Sequence, residues 1–176
     1  MPRVRFLLVV LATLASMSLI GAGTASAAGT ISFSGSPGTG APPSTLGPYT
    51  MTSFGLDPQP FGTVGGVAAP SGEVAFSPSL YHLRVGQGWA TWSHGYGGDV
   101  YWTLGALTAT VNLPPNTSAF YLYAEPNPFA VFTISATAQD GTTSGPIAVD
   151  GFAGARYFGF YGTGGEHIDQ DRKSVV

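Results

Sequence analysis

The stretch Phe132-Thr133-Ile134-Ser135-Ala136-Thr137-Ala138-Gln139-Asp140-Gly141, followed by Ile147-Ala148-Val149, decides the fold class. Phe132, Ile134 and Ala136 alternate with Thr133, Ser135 and Thr137, so one face is apolar and the other polar. A period of two marks a half-buried strand. Asp-Gly suits a tight turn, because glycine takes the positive φ that other residues resist. Two strands around such a turn predict an antiparallel hairpin.

The alternation recurs along the chain. Ile31 and Phe33 oppose Thr30, Ser32 and Ser34; Leu107, Ala109, Val111 and Leu113 oppose Thr108, Thr110 and Asn112. Val74 with Phe76, and Tyr81 with Leu83 and Val85, make shorter runs. Pro114-Pro115-Asn116-Thr117 separates two strands, and no window has capped helical periodicity. Short strands between turns predict one all-β domain, an antiparallel β-sandwich of jelly-roll-like character. With 26 glycines and 14 prolines the competing reading is low-complexity disorder, and the alternating strands argue against it. Residues 35–48, rich in Gly, Pro and Ser, read as a long loop.

Arg3 and Arg5 precede the apolar run that starts at Phe6, and Ala25-Ser26-Ala27 supplies a cleavage site. Residues 1–27 therefore read as a secretory leader. The run falls short of the roughly 20 apolar residues of a membrane span. The expected mature domain, residues 28–170, is exported by a bacterium to the cell surface or medium. There is no cysteine, so no disulfide framework holds it.

Charged residues make up only 9% of the chain. From residue 28 to 170 the cations are Arg84 and Arg156, against eight carboxylates from Asp57 to Asp169. Such a surface repels nucleic acid, whose binding rests on Lys and Arg neutralising phosphates. It argues equally against anionic lipid. A neutral polysaccharide or a cell-surface component fits better. Asp171-Arg172-Lys173-Ser174-Val175-Val176 breaks the pattern by carrying two cations in six residues. One choice of codons for these residues and a stop reproduces a common sequencing adapter. They are expected to be adapter-derived. Glu166-His167-Ile168-Asp169-Gln170 then reads as the start of a further alternating strand.

Two aromatic regions are candidate sites. The first runs from Trp89 to Trp102 and reads as two strands joined at Gly95 to Gly98. Trp92, Tyr96 or Tyr101 would stack on a sugar ring there, with His94 and Asp99 hydrogen-bonding it; the alternative is core packing. The second is a pair of strands in which Tyr121, Tyr123 and Glu125 share one face and Tyr157 and Tyr161 another. If the strands are neighbours, the tyrosines form either a stacking platform or the cover of a doubly buried sheet. His94, Asp99 and Glu125 could serve a hydrolase, although no nucleophile elbow, HExxH motif or thiol accompanies them. His82 reads as a solvated histidine, and Asn116-Thr117-Ser118 as a turn. No cofactor is expected. Calcium at the Asp140 turn is weighed, but one carboxylate is few for an ion that takes about six to eight oxygens.

Trp92-Ser93-His94-Gly95-Tyr96 with Gly98-Asp99-Val100-Tyr101, Ala119-Phe120-Tyr121-Leu122-Tyr123-Ala124-Glu125-Pro126-Asn127 and Ala155-Arg156-Tyr157-Phe158-Gly159-Phe160-Tyr161 together resemble a group of exported bacterial β-sandwich proteins. Similar modules occur in proteins with PEP-CTERM-type sorting signals. The resemblance spans residues 73–170 and implies a sandwich; it carries over no catalytic residue. This sequence departs from it at the end, where no sorting signal stands. The expected function is a non-catalytic binding or surface module with neutral polysaccharide as ligand. The alternatives are a structural surface or matrix protein, and a secreted hydrolase.

Overall fold

In the computed structural model, which describes residues 29–168 and the backbone of Phe6–Val9, every regular element is a strand. In chain order they are β1 (Phe6–Val9), β2 (Thr30–Ser34), β3 (Thr45–Leu46), β4 (Tyr49–Thr50), β5 (Gly62–Ala69), β6 (Gly72–Val85), β7 (Gly88–Trp89), β8 (Asp99–Trp102), β9 (Thr110–Asn112), β10 (Ala119–Pro126), β11 (Val131–Ile134), β12 (Ile147–Asp150) and β13 (Arg156–Thr163). Apart from β1, the leader lies outside the described residues, as do residues 169–176.

The hairpin anticipated from its turn is present. β11 pairs antiparallel with β12, Ile134 facing Ile147, and the chain reverses through Asp140-Gly141. Asp140 Oδ1 accepts from the Thr142 amide at 2.8 Å and Oδ2 from the Ile31 amide at 3.3 Å, so its carboxylate shapes the turn and ties it to β2.

The main sheet runs β2-β13-β10-β1-β8-β6-β5, with β7 and β9 also paired to β6. Its pairings are antiparallel except the short one between β6 and β7. The fold is all-β, and the β11–β12 hairpin packs on one face of the sheet. Ile134, Ala136 and Val149 meet Phe120, Leu122, Phe158 and Phe160 in this larger core.

β6 corrects one sequence reading. Tyr81, Leu83 and Val85 were the expected buried set, with His82 wet. Val74 and Phe76 are buried as expected, but the buried set continues from them through Leu80 to His82, which is 0% exposed. The strand continues through Ser77-Pro78, so its phase is set by Val74 and Phe76. Leu83 and Val85 point to the opposite face and are half-buried there. A second correction concerns Trp92 and His94, which lie in a loop rather than on a strand. Positive φ at His94 (45°) and Gly95 (72°) turns the chain before β8. Leu107 is a third: it stands outside β9 and is 51% exposed.

The tyrosine strands are neighbours. β10 pairs with β13 with Tyr123 opposite Tyr157 and Ala119 opposite Tyr161. The tyrosines are not a wet platform, however. Tyr121, Tyr123 and Tyr157 are buried, and Tyr161 is half-buried. Residues 35–48 fold back over them. Tyr123 O–H donates to Gly40 O at 2.6 Å, and the Tyr157 amide donates to Gly38 O at 2.9 Å. Gly47, at φ 57°, lies so close to the Tyr161 ring that a Cβ there would collide with it. With Leu46, Trp89, Trp92 and Val100 these rings make a second core on the sheet's other face.

Tyr121→Ala is expected to lower stability by about 3–5 kcal/mol, the range for truncating a buried aromatic. Urea unfolding measures it; an unchanged midpoint would return the tyrosine to the surface.

Candidate functional site

Polar side chains concentrate where β6 and β8 run side by side under the loop that precedes β5. The register sets His82 opposite Tyr101 and Leu83 opposite Val100, so Arg84 falls beside Asp99. Asp99 is the hub. Its Oδ1 faces His82 Nε2 at 3.1 Å and accepts from Arg84 Nε at 2.8 Å, with Arg84 Nη2 at 2.7 Å. Its Oδ2 accepts from the Asp57 amide at 2.6 Å. A carboxylate only accepts, so the His82 contact is a hydrogen bond when Nε2 carries the proton.

Asp57 extends the network into the loop. Its Oδ2 accepts from the Tyr101 hydroxyl at 2.7 Å and its Oδ1 from the Gln59 amide at 2.9 Å. His82 Nδ1 stands 3.9 Å from Asp57 Oδ2 and has no hydrogen-bond partner. Tyr101 stacks on the His82 ring at 5.3 Å, 20° from parallel. Burial pushes the Asp99 carboxyl up, but bonds from the Asp57 amide, His82 and Arg84 outweigh it and leave it below the ordinary range.

Above the buried network lies an exposed aromatic. Phe61 is 43% exposed and meets the His82 ring edge-on at 5.2 Å, with the Arg84 guanidinium 5.8 Å from its ring centre. Phe61, Leu56, Gln59 and Arg84 line a shallow cleft of about 590 Å³. On the other side of the same loop, Phe54, Tyr96 and Tyr101 line a cavity of about 260 Å³.

The sequence candidates divide between several places. Asp99 and Tyr101 belong to this network. Tyr96 is half-buried and donates its hydroxyl to Asp99 O at 3.0 Å, and burial holds its phenol above the ordinary range. Trp92 is buried near Tyr96, ring centres 6.2 Å apart. His94 is half-buried against Tyr123 at 4.7 Å, and burial lowers its pKa. Tyr121, Tyr123, Tyr157 and Tyr161 lie in the second core. Glu125 is fully buried; its Oε1 accepts from the Thr91 hydroxyl at 3.2 Å, while Oε2 has no hydrogen-bond partner. Burial pushes Glu125 up to about 7, donors on Thr91, Gly154, Ala153 and Trp89 pulling it back.

His94, Asp99 and Glu125 thus keep separate side-chain hydrogen-bond partners and do not assemble as one acid–base set. Asp57, Phe61, His82 and Arg84 were missed as site residues. For His82 and Arg84 the signal is an ionisable residue set inside an apolar strand of a chain with almost no charge; Asp57 and Phe61 stand in the loop before β5 and carry no such signal. Among the described residues no three His, Cys, Asp or Glu side chains gather as a metal-binding group. No protein-family model matches the chain, and searches of curated proteins and of solved structures find no match.

Two outcomes follow. Asp99→Ala leaves His82 and Arg84 without their acceptor and is expected to lower stability by about 3–5 kcal/mol. Arg84→Ala should cost less, since that side chain is 24% exposed. Equal losses in urea unfolding would contradict Asp99 as the hub. Glu125 has a folded pKa of about 7 against an ordinary 4.5. Its favourable share of stability is full below pH 4.5 and is lost as pH rises through about 7. Glu125→Gln should therefore flatten the fall in melting temperature across that window, as thermal scans from pH 4 to 8 would record.

Proposed function

We propose that the domain is a non-catalytic binding module, and that the cleft around Phe61 receives a segment of neutral polysaccharide. One observation carries this reading: an exposed aromatic ring fixed over a buried ionic network. Binding favours groups that are ordered before the ligand arrives, because less conformational freedom is then lost. Asp57 anchors the loop beneath Phe61, and Gln59 Nε2 donates to Gly66 O at 3.3 Å. An apolar ring flanked by an amide and a guanidinium suits a sugar, which offers C–H faces and hydroxyl edges.

The network supports bracing better than turnover. His82 is 0% exposed, and Asp57 and Asp99 are 5% each. A general base must come within hydrogen-bond reach of its substrate, and these groups lie beneath the loop. The charge-poor surface favours a neutral ligand, and the resemblance to exported sandwich proteins agrees with an extracellular role. A structural surface protein is the second reading. Phe129, Val131 and Phe152, each 64% exposed, favour it, with the two rings packed edge to face at 5.8 Å. An apolar cluster of this kind suits contact between protein surfaces.

Affinity electrophoresis through gels holding glucan, xylan or mannan tests the first reading. The parent chain should be retarded by at least one, and Phe61→Ala should run freely there while keeping its melting temperature. A parent unretarded in all three gels, or a Phe61→Ala chain retarded as much as the parent, would overturn it. Self-association abolished by Phe129→Ser with Phe152→Ser would support the second.

A further inference from the structure

The network beneath Phe61 is one positive charge short. Asp57 and Asp99 both accept hydrogen bonds through their carboxylate oxygens. Among the described residues, Arg84 is the permanent cation that pairs with them. Charges taken out of water are costly unless paired. His82 stands between the two carboxylates and is 0% exposed.

Its two ring nitrogens are served unequally. Nε2 faces Asp99 Oδ1 at 3.1 Å, whereas Nδ1 lies 3.9 Å from Asp57 Oδ2 with no hydrogen-bond partner. A neutral imidazole carries one N–H. With that proton on Nε2, Nδ1 and Asp57 Oδ2 are two acceptors with no hydrogen to share. A second proton supplies both missing parts, a charge for the network and a donor for Asp57. The gap exceeds hydrogen-bond reach, so closing it draws Asp57 and its loop towards β6.

The surroundings leave the proton to His82. Arg84 comes from β6, Asp99 and Tyr101 from β8, and Asp57 from the loop, while β5 sets Gly62 opposite His82. Despite its burial the Asp99 carboxyl lies below the ordinary range. Burial holds the phenols of Tyr101 and Tyr96 above theirs, so both stay donors in neutral solution. Histidine is the side chain that ordinarily changes charge between about pH 5 and 8.

We propose that His82 is a proton-driven latch on the loop that bears Phe61. In mild acid the imidazolium bridges Asp99 of β8 to Asp57 of the loop and holds the loop down; in mild alkali the Asp57 side is released. His82 takes its proton more readily with the loop down, so the latch closes as pH falls and opens as it rises. Its bearing on a ligand rests on the polysaccharide reading of the cleft, where a loop ordered beforehand binds more tightly.

Backbone amide hydrogen exchange reads the loop without any ligand. The Asp57 amide donates to Asp99 and the Gln59 amide to Asp57, so their protection reports the latch. Corrected for the intrinsic effect of pH on exchange, protection of both amides in the full chain should be about fivefold higher at about pH 5.5 than at about pH 8, the low end of ordinary coupling between sites. His82→Gln keeps a donor for Asp99 but takes up no proton, and should abolish the rise. Asp57→Asn, which withdraws the charge the second proton meets, should do the same and serves if the first variant fails to fold. Glu125 and His94 remain in both variants, so their own titration cancels. Protection in the parent that is equal or lower in acid, or an acid rise that survives in either folded variant, would overturn the latch. The polysaccharide gels, run at the same two pH values, separate it from the ligand reading. An acid rise in protection with no retardation keeps the latch and removes the ligand; retardation without that rise does the reverse.

Discussion

β10 carries bulky side chains on both faces: Phe120 and Leu122 on one, Tyr121 and Tyr123 on the other. Neither set can be left in water, so the sheet must be covered twice. The β11–β12 hairpin covers the first face, and residues 35–48 with the Trp89–Tyr96 segment cover the second. That double burial lets a chain without disulfides hold a sheet together, because apolar area removed from water is the main favourable term in folding. It also explains why the irregular first third of the domain is ordered: its carbonyls accept from Tyr123 and Tyr157, whose rings need it as a roof.

The ionic network sits where this apolar plan gives way. Between β6 and β8 the buried phase carries His82, and Arg84 and Asp99 meet beside it. Ions taken out of water are costly unless paired and fully bonded. Asp99 meets that condition with four contacts, and Asp57 ties the loop above to it. Such a network fixes position more than it adds stability. In this chain it fixes the loop that bears Phe61.

The parts legible in the sequence were those written in short-range pattern. Phe132 to Val149 announced its hairpin through a period of two and an Asp-Gly turn. The faces of β10 and β13 were also readable, since alternation says which tyrosines lie together. It does not say whether a second layer covers them. That layer is residues 35–48, which have no periodicity of their own and are held by single hydrogen bonds to distant tyrosines. His82 was misread because Pro78 hid the continuity of β6, and a slip of one residue exchanges the wet and dry faces. Asp57 and Asp99 lie far apart in the chain, so only the folded register could bring them together.

The buried tyrosines carry a consequence for alkaline solution. Burial holds the phenols of Tyr96, Tyr101, Tyr123 and Tyr157 above their ordinary value of 10. Unfolded, the same phenols ionise near 10, so the unfolded chain sheds protons that the fold retains. Their favourable share of stability is whole below that pH and drains away above it. Because the four rings belong to one folded unit, they should resist base together and yield together. The share of the tyrosinate ultraviolet band that these four supply would then rise in one sharp step, the optical record of the fold opening.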